Sequence, residues 1–240
     1  VGKYEGMAVF VPHTAVGDKI NAHILKVNKH YVFAKAKEIT SPSKHRIDID
    51  CGVFARCGGC SLRHIQYAHE AQLKQNRVTQ TMQRIGKVKT GAQPIIFAQN
   101  PDRYRNKALY PVSEDKEIGF YSRHSHRTVA CGNCLLHPEV FYLAGNIFTD
   151  FIKERNISVY NEQTHTGLIR HFYLRQGKNT GELMVGVVIN GNQLPFKEEL
   201  IEKLKNALGE NLKSVILNIN TKKTNVVLGD ENICLYGKEY

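Results

Sequence analysis

The pattern of apolar and polar positions begins with short strand-like runs. These runs cover residues 6–11, 19–27 and 31–38. In the third run Val32 and Ala34 alternate with Phe33 and Lys35, and such alternation is typical of a strand with one buried face. Because three short strands follow one another quickly, we predict a small β-barrel.

Helical and strand-like patterns alternate irregularly in the rest of the chain. Apolar residues recur at helical spacing in residues 65–85, 138–153 and 196–208. Strand-like runs occupy residues 104–112, 117–121, 168–175, 182–189, 214–220 and 232–236. Because helices and strands do not follow a strict βαβ order, the pattern predicts an α+β fold and not a doubly wound sheet.

The chain is strongly basic, which narrows the class of partner. It has 33 Lys and Arg against 22 Asp and Glu among 240 residues, a formal net charge of +11. More than half of that charge lies in residues 61–110. The balance favours a binder of polyanions, with nucleic acid as the leading partner, although a basic charge can also serve solubility alone.

The longest apolar stretches are far too short to cross a bilayer, and the first residues contain no apolar signal segment. These features predict a cytoplasmic protein that does not bind membranes.

The strongest local signal is a cluster of three cysteines, Cys51, Cys57 and Cys60, with Gly58 and Gly59 between the last two. Glycines allow a chain to wrap tightly around a metal centre, through positive φ angles and through N–H groups that face the thiolates. Three thiolates leave a fourth ligand to be found. Cys131 and Cys134 are the candidates.

Several kinds of site compete for these cysteines. An iron–sulfur cluster accepts four thiolates that are distant in sequence, whereas a zinc ribbon prefers two C-x-x-C pairs about 15–20 residues apart. A redox C-x-x-C site formed by Cys57 and Cys60 would leave Cys51 without a role. Buried structural thiols are the remaining alternative, and this is our interpretation of Cys234, which has no motif around it. The spacing favours iron and sulfur.

Together these residues resemble the RumA/RlmD-like RNA uracil-5-methyltransferases of the TrmA superfamily. The resemblance rests on the cysteine array followed by His64 and on motifs between residues 104 and 171, and it covers nearly the whole sequence. Those motifs are YRNK at 104–107, GFY at 119–121, SH at 125–126 and GLIRH at 167–171. The segment 6–12 is similar to the start of a TRAM domain, the small RNA-binding barrel of these enzymes.

The resemblance implies a domain plan and a set of cofactors. It implies a partial TRAM barrel at 1–40, a linker with the iron–sulfur loop at 41–64 and a central α+β RNA-recognition domain at 65–240. A 4Fe-4S cluster would be held by Cys51, Cys57, Cys60 and Cys134, the last of which occupies the position of the family's fourth ligand. We find no signature of an S-adenosylmethionine site or of a catalytic cysteine, so we expect the 240 residues alone to be inactive.

The resemblance also implies an RNA substrate, most often 23S ribosomal RNA, and we expect a monomer. We select as RNA contacts Arg103, Arg105, Lys107, Arg123 and Arg170. Alternation within a strand at 104–112 would place the first three of them on one face, near aromatic side chains that can stack on unpaired bases. Two other functions remain open: a stand-alone zinc or iron–sulfur RNA-binding module without catalysis, and a thiol redox protein.

Overall fold

The computed structural model describes residues 1–238 and has a mixed α+β fold, which confirms the predicted fold class. The chain forms two compact units. The first contains residues 1–55 and 60–99, and the second contains residues 56–59 and those from 100 onward. The last two residues of the predicted central domain, 239–240, lie outside the described part of the chain.

The first unit begins with a four-stranded sheet. Its strands are β1 (Gly2–Tyr4), β2 (Met7–Phe10), β3 (Lys19–Val27) and β4 (Tyr31–Ser41), in the order β1-β2-β4-β3. The three predicted strands are confirmed, and β1, of three residues, was missed. Within residues 1–41 the pairing leaves β1 and β3 as edges, so it describes an open sheet and not a closed barrel.

An ion pair fastens the segment after β4 to the loop before β3. Asp18 accepts hydrogen bonds from Arg46 Nε at 2.9 Å and Nη2 at 2.7 Å, and from the backbone N–H groups of Ala15 and Ser43. The Asp18 side chain is only 2% exposed. The Arg46 guanidinium, chiefly through its hydrogen bond, therefore holds the pKa of this carboxyl well below its ordinary value.

We expect Asp18→Asn to destabilise the first unit by about 2–3 kcal/mol, since it removes the charge that pairs with Arg46. A carboxylate with a lowered pKa stabilises the fold above the unfolded-state pKa and loses that effect as the pH falls. The difference between wild type and variant should therefore shrink below about pH 4. Urea unfolding at pH 7 and pH 3 measures this. An equal difference at both values would contradict the assignment.

The helix α1 (Tyr67–Arg84) follows in the first unit, at the predicted place. Its apolar face is narrow, and Ala71 is its buried residue. Side chains of the helix hold the segment that comes after it. Gln75 donates to the carbonyls of Ala92 and Gln93, and the Tyr67 hydroxyl accepts from the N–H of Ala98.

The second unit is built on a five-stranded sheet in the order β11-β10-β9-β8-β5. Its strands are β5 (Lys107–Pro111), β8 (Ile169–Gln176), β9 (Leu183–Ile189), β10 (Leu212–Ile219) and β11 (Glu231–Gly237). The parallel pair β9–β10 is connected through α3 (Lys197–Leu208), and the other pairs are antiparallel. A short hairpin, β6 (Gly119–Tyr121) and β7 (Thr128–Ala130), lies outside this sheet.

The core of the second unit lies between the sheet and its two helices. Phe148 of α2 (Glu139–Glu154) stacks on Phe172 of β8 with ring centroids 4.2 Å apart. Leu200 and Leu204 of α3 are fully buried in the same core. None of the helices in residues 1–238 is long and apolar enough to cross a membrane.

The predicted strand at 104–112 begins only at Lys107. Arg103 has a positive φ of 54°, and the N–H groups of Arg103 and Arg105 donate to the carbonyls of Leu135 and Leu136 instead of to a strand. The expectation that alternation puts Arg103, Arg105 and Lys107 on one strand face is therefore wrong. Tertiary hydrogen bonds to the loop after β7 override the local strand pattern.

Candidate functional site

The exposed face of β4 carries aromatic and basic side chains. Tyr31 and Phe33 are about 40% exposed and their rings contact edge to face, with centroids 5.4 Å apart. Phe10 of β2 lies opposite Phe33 and is 5.6 Å from it. Lys35 and Lys37 continue the same face, because every second residue of a strand points the same way.

Exposed aromatic rings beside lysines are suited to binding single-stranded nucleic acid. The alternate residues Val32 and Ala34 are buried, so they anchor the strand and turn its aromatic side outward. Exposed rings offer flat apolar surfaces on which unpaired bases stack, and neighbouring ammonium groups attract phosphates. We name Phe10, Tyr31, Phe33, Lys35 and Lys37 the stacking face.

The loop around Cys57 is shaped by its glycines. Cys57 forms an antiparallel bridge with Ser122, and the Gly58 N–H donates to the Tyr121 carbonyl at 3.0 Å. A Cβ on Gly58 would lie 3.0 Å from that carbonyl oxygen, so only glycine fits without displacement. The expectation of positive φ angles is wrong, since neither Gly58 nor Gly59 has one. The expectation that N–H groups face the thiolates is confirmed, since the Gly59 N–H donates to Cys57 Sγ at 3.3 Å.

The surroundings of Cys134 make its thiol more acidic than usual. A hydrogen bond from Cys131 is the largest effect that lowers the pKa of Cys134 below its ordinary value. The nearby His137 and the backbone of Leu136 lower it further, against the opposing effect of burial. The lowered pKa favours the thiolate of Cys134, which is the form that binds metals. Its partner Cys131 lies close enough to stabilise that charge.

The cysteines have the right chemistry for a metal cluster, but the described residues do not show them grouped as metal ligands. All six are free thiols of intermediate exposure. In residues 1–238 no three Cys, His, Asp or Glu side chains are grouped so that they could hold a metal ion. Cys51 and Cys60 belong to the first unit, whereas Cys57 and Cys134 belong to the second.

The predicted arginine contacts differ in their surroundings. Arg103 Nη1 donates to the carbonyls of Cys134 at 3.1 Å and His137 at 2.9 Å, so this side chain holds the loop that carries Cys134. Arg170 is 6% exposed and donates to three backbone carbonyls in residues 220–224. This geometry does not favour RNA contacts for either side chain. Arg105 is half-buried, and Lys107 and Arg123 are exposed.

A polar groove of about 870 Å³ lies within the second unit, and the sequence did not single it out as a site. Its walls come from the end of β5, the β6–β7 hairpin, the segment 160–163 and the start of β8. The Tyr121 ring stacks on His126, with centroids 5.0 Å apart and planes 18° apart. His126 Nδ1 lies 2.7 Å from Glu162 Oε2, and the Tyr121 hydroxyl donates to Glu162 Oε1 at 3.4 Å.

Buried groups fix the position of Tyr121. Burial lowers the pKa of His171 to about 4 and raises that of Tyr121 to about 12, so both are neutral at pH 7. Because the Tyr121 hydroxyl donates to Glu162, the contact of 3.3 Å between His171 Nε2 and Tyr121 Oη has the histidine as donor. The SH motif at 125–126 marks one wall of the groove, but no motif surrounds Glu162.

Proteins similar to this chain in sequence are named RNA methyltransferases. An uncharacterized RNA methyltransferase of Caldanaerobacter subterraneus subsp. tengcongensis is 41% identical over 99% of the chain and 53% of its own length. Another, of Clostridium tetani, is 36% identical over 100% of the chain and 52% of its own length. The homologues of this chain are RNA methyltransferases. No family model matches the chain.

A solved structure supports the same relationship. It is the Pyrococcus abyssi tRNA (uracil-54, C5)-methyltransferase in complex with S-adenosyl-L-homocysteine, with a TM-score of 0.72 and 25% identity over 97% of this chain and 52% of that one. The chain spans about half the length of the methyltransferases it matches. That neighbour contains bound S-adenosyl-L-homocysteine, whereas we expected no cofactor site in these 240 residues.

Proposed function

We propose that this chain is the RNA-binding part of an S-adenosylmethionine-dependent RNA uracil-C5 methyltransferase acting on 23S ribosomal RNA. The observation that carries the proposal is the similarity to RNA methyltransferases along the whole chain, joined by the fold shared with a uracil-C5 enzyme. The uracil C5 position is inferred from the structural neighbour. The choice of 23S ribosomal RNA rests on the resemblance of the sequence motifs to the RumA/RlmD-like enzymes. S-adenosylmethionine would supply the methyl group.

The stacking face and the net charge support RNA binding. Single-stranded RNA is held by ring stacking together with lysine and arginine contacts to phosphates, and β4 offers both kinds of group side by side. The excess charge of +11 adds a long-range attraction for any polyanion. Lys107, Arg123 and the half-buried Arg105 extend the proposed contacts to the second unit. We take the four-stranded sheet to be the TRAM domain of the proposed enzyme.

We also propose that a 4Fe-4S cluster is held by Cys51, Cys57, Cys60 and Cys134. Support comes from the spacing of the first three cysteines and from the thiolate character of Cys134. Such a cluster would be structural, because its ligands come from segments that are far apart in the sequence. Free thiols and an RNA substrate fit a cytoplasmic protein, and we propose that it is monomeric.

Transfer RNA is the second candidate substrate, because the structural neighbour is a tRNA enzyme. Nucleoside mass spectrometry of separated ribosomal and transfer RNA, from cells with and without the gene, distinguishes the two. We expect 5-methyluridine to be lost from 23S RNA. Its loss from tRNA alone would select the second candidate. Unchanged 5-methyluridine in both would contradict the methyltransferase proposal and leave an RNA-binding module without catalysis.

A further inference from the structure

We propose that the polar groove of the second unit binds an unpaired guanine base of the RNA, with Glu162 as the residue that recognises its Watson–Crick edge. The proposal rests on the proposed RNA-binding function and adds a base-specific contact to it. It concerns a different base from the uracil that is methylated.

The carboxylate of Glu162 has the capacity and the access that this contact needs. Its side chain is 45% exposed and lines the groove. One oxygen accepts from Tyr121 and the other from the neighbouring histidine, so each oxygen keeps a further lone pair. The contacts with Tyr121 and His126 also hold the carboxylate in one orientation before a ligand arrives.

Guanine fits two adjacent acceptors better than the other bases do. Its N1–H and N2–H₂ groups are neighbouring donors, so they can donate to the two oxygens of one carboxylate in a bidentate pair. Uracil presents a single N–H between two carbonyl oxygens, which a carboxylate repels. Adenine and cytosine each present an amino group beside a ring nitrogen acceptor. A carboxylate therefore favours guanine over all three.

The groove also offers a ring for stacking and enough room. The His126 side chain is 50% exposed, and its ring lies nearly parallel to the Tyr121 ring on which it stacks. A volume of about 870 Å³ is within the range of sites that hold nucleotide-sized ligands. Arg170 and Tyr160 also line the groove, and the Arg170 guanidinium lies 4.4 Å from the centre of the Tyr160 ring.

The charges of the groove argue against a simple phosphate site. The carboxylates of Glu114, Asp115 and Glu162 all line it, and they repel a phosphate. Arg127 lines the groove and is exposed, so it is placed to meet the backbone of a nucleotide whose base lies inside. The arrangement suits a neutral base with hydrogen-bond donors.

Fluorescence anisotropy with uridine hexamers tests the proposal. One internal position is guanosine, inosine, adenosine or uridine. We expect the guanosine hexamer to bind about tenfold more tightly than the uridine hexamer. Inosine, which keeps N1–H and lacks the amino group, should fall between them. In Glu162→Gln the preference for guanosine should drop to less than about twofold, because an amide has only one acceptor oxygen.

Glu117→Gln is the matched control, since this carboxylate is 41% exposed and lies outside the groove lining. It should keep the preference. Equal affinity for all hexamers, or a guanosine preference that survives in Glu162→Gln, would overturn the proposal. Titration with GMP and UMP, followed by NMR of the His126 ring, separates this failure from that of RNA binding as a whole. If no hexamer binds, the RNA-binding proposal fails. The groove proposal then stands only if GMP, and not UMP, shifts the NMR signals of the His126 ring.

Discussion

Anaerobically purified protein is expected to contain about four iron and four acid-labile sulfide atoms per chain, and Cys57→Ser or Cys134→Ser should lose nearly all of both. Cys57 lies in the glycine loop, where the Gly59 N–H donates to its sulfur. The pKa of Cys134 is lowered below its ordinary value, chiefly by a hydrogen bond from Cys131. Removing either thiolate leaves three ligands for a cluster that needs four.

Two other substitutions serve as controls. Cys234→Ser should keep the full cluster, because this cysteine lies in β11 and has no motif around it. Cys131→Ser should keep it as well, with weaker retention, since the hydrogen bond from Cys131 helps to stabilise the Cys134 thiolate. Stoichiometric zinc without sulfide would refute the cluster. A full cluster in Cys134→Ser together with its loss in Cys131→Ser would reverse the choice of ligand.

The sequence predicted the strongly periodic elements well. The strand at Lys19–Val27 matches the prediction at both ends, and α3 differs from its prediction by a single residue. Period and termination signals are local properties, so they survive in the folded chain. The strands β1 and β7, of three residues each, were missed, whereas β6 of the same length lies inside the predicted run 117–121.

The site was harder to predict, because it depends on contacts between distant segments. Arg103 and Arg170 looked like RNA contacts since they are basic, yet both donate to buried or partly buried backbone carbonyls. The partnership of Tyr121 with Glu162 joins residues 41 positions apart. The local sequence around Glu162 contains no motif that predicts its contact with Tyr121. The predicted domain boundaries and the remaining RNA contacts stay predictions.

The stacking face should dominate the affinity for single-stranded RNA. We expect Phe33→Ala to weaken binding about tenfold, because one base–aromatic stack contributes roughly 1–3 kcal/mol. Phe33 is 43% exposed, so the loss of its contacts with Phe10 and Tyr31 should lower the melting temperature only modestly. Because the lost contact is uncharged, the dependence of affinity on salt should remain the same.

Lysine substitutions on the stacking face should, in contrast, change the dependence of affinity on salt. Each of Lys35→Ala and Lys37→Ala should lower the slope of log affinity against log salt by about 0.7, the contribution of one phosphate contact with a single strand. Lys178→Ala is the control, since that lysine is exposed in the second unit and away from the stacking face. It should leave both the affinity and the slope close to those of the wild type.

The most direct test of RNA binding by this chain is the salt dependence of its affinity for a single-stranded 23S RNA fragment. We predict a steep linear fall of log affinity with log salt in the wild type, a parallel and weaker line for Phe33→Ala, and a flatter line for Lys35→Ala. An affinity that does not change with salt, or identical lines for all three proteins, would contradict the account.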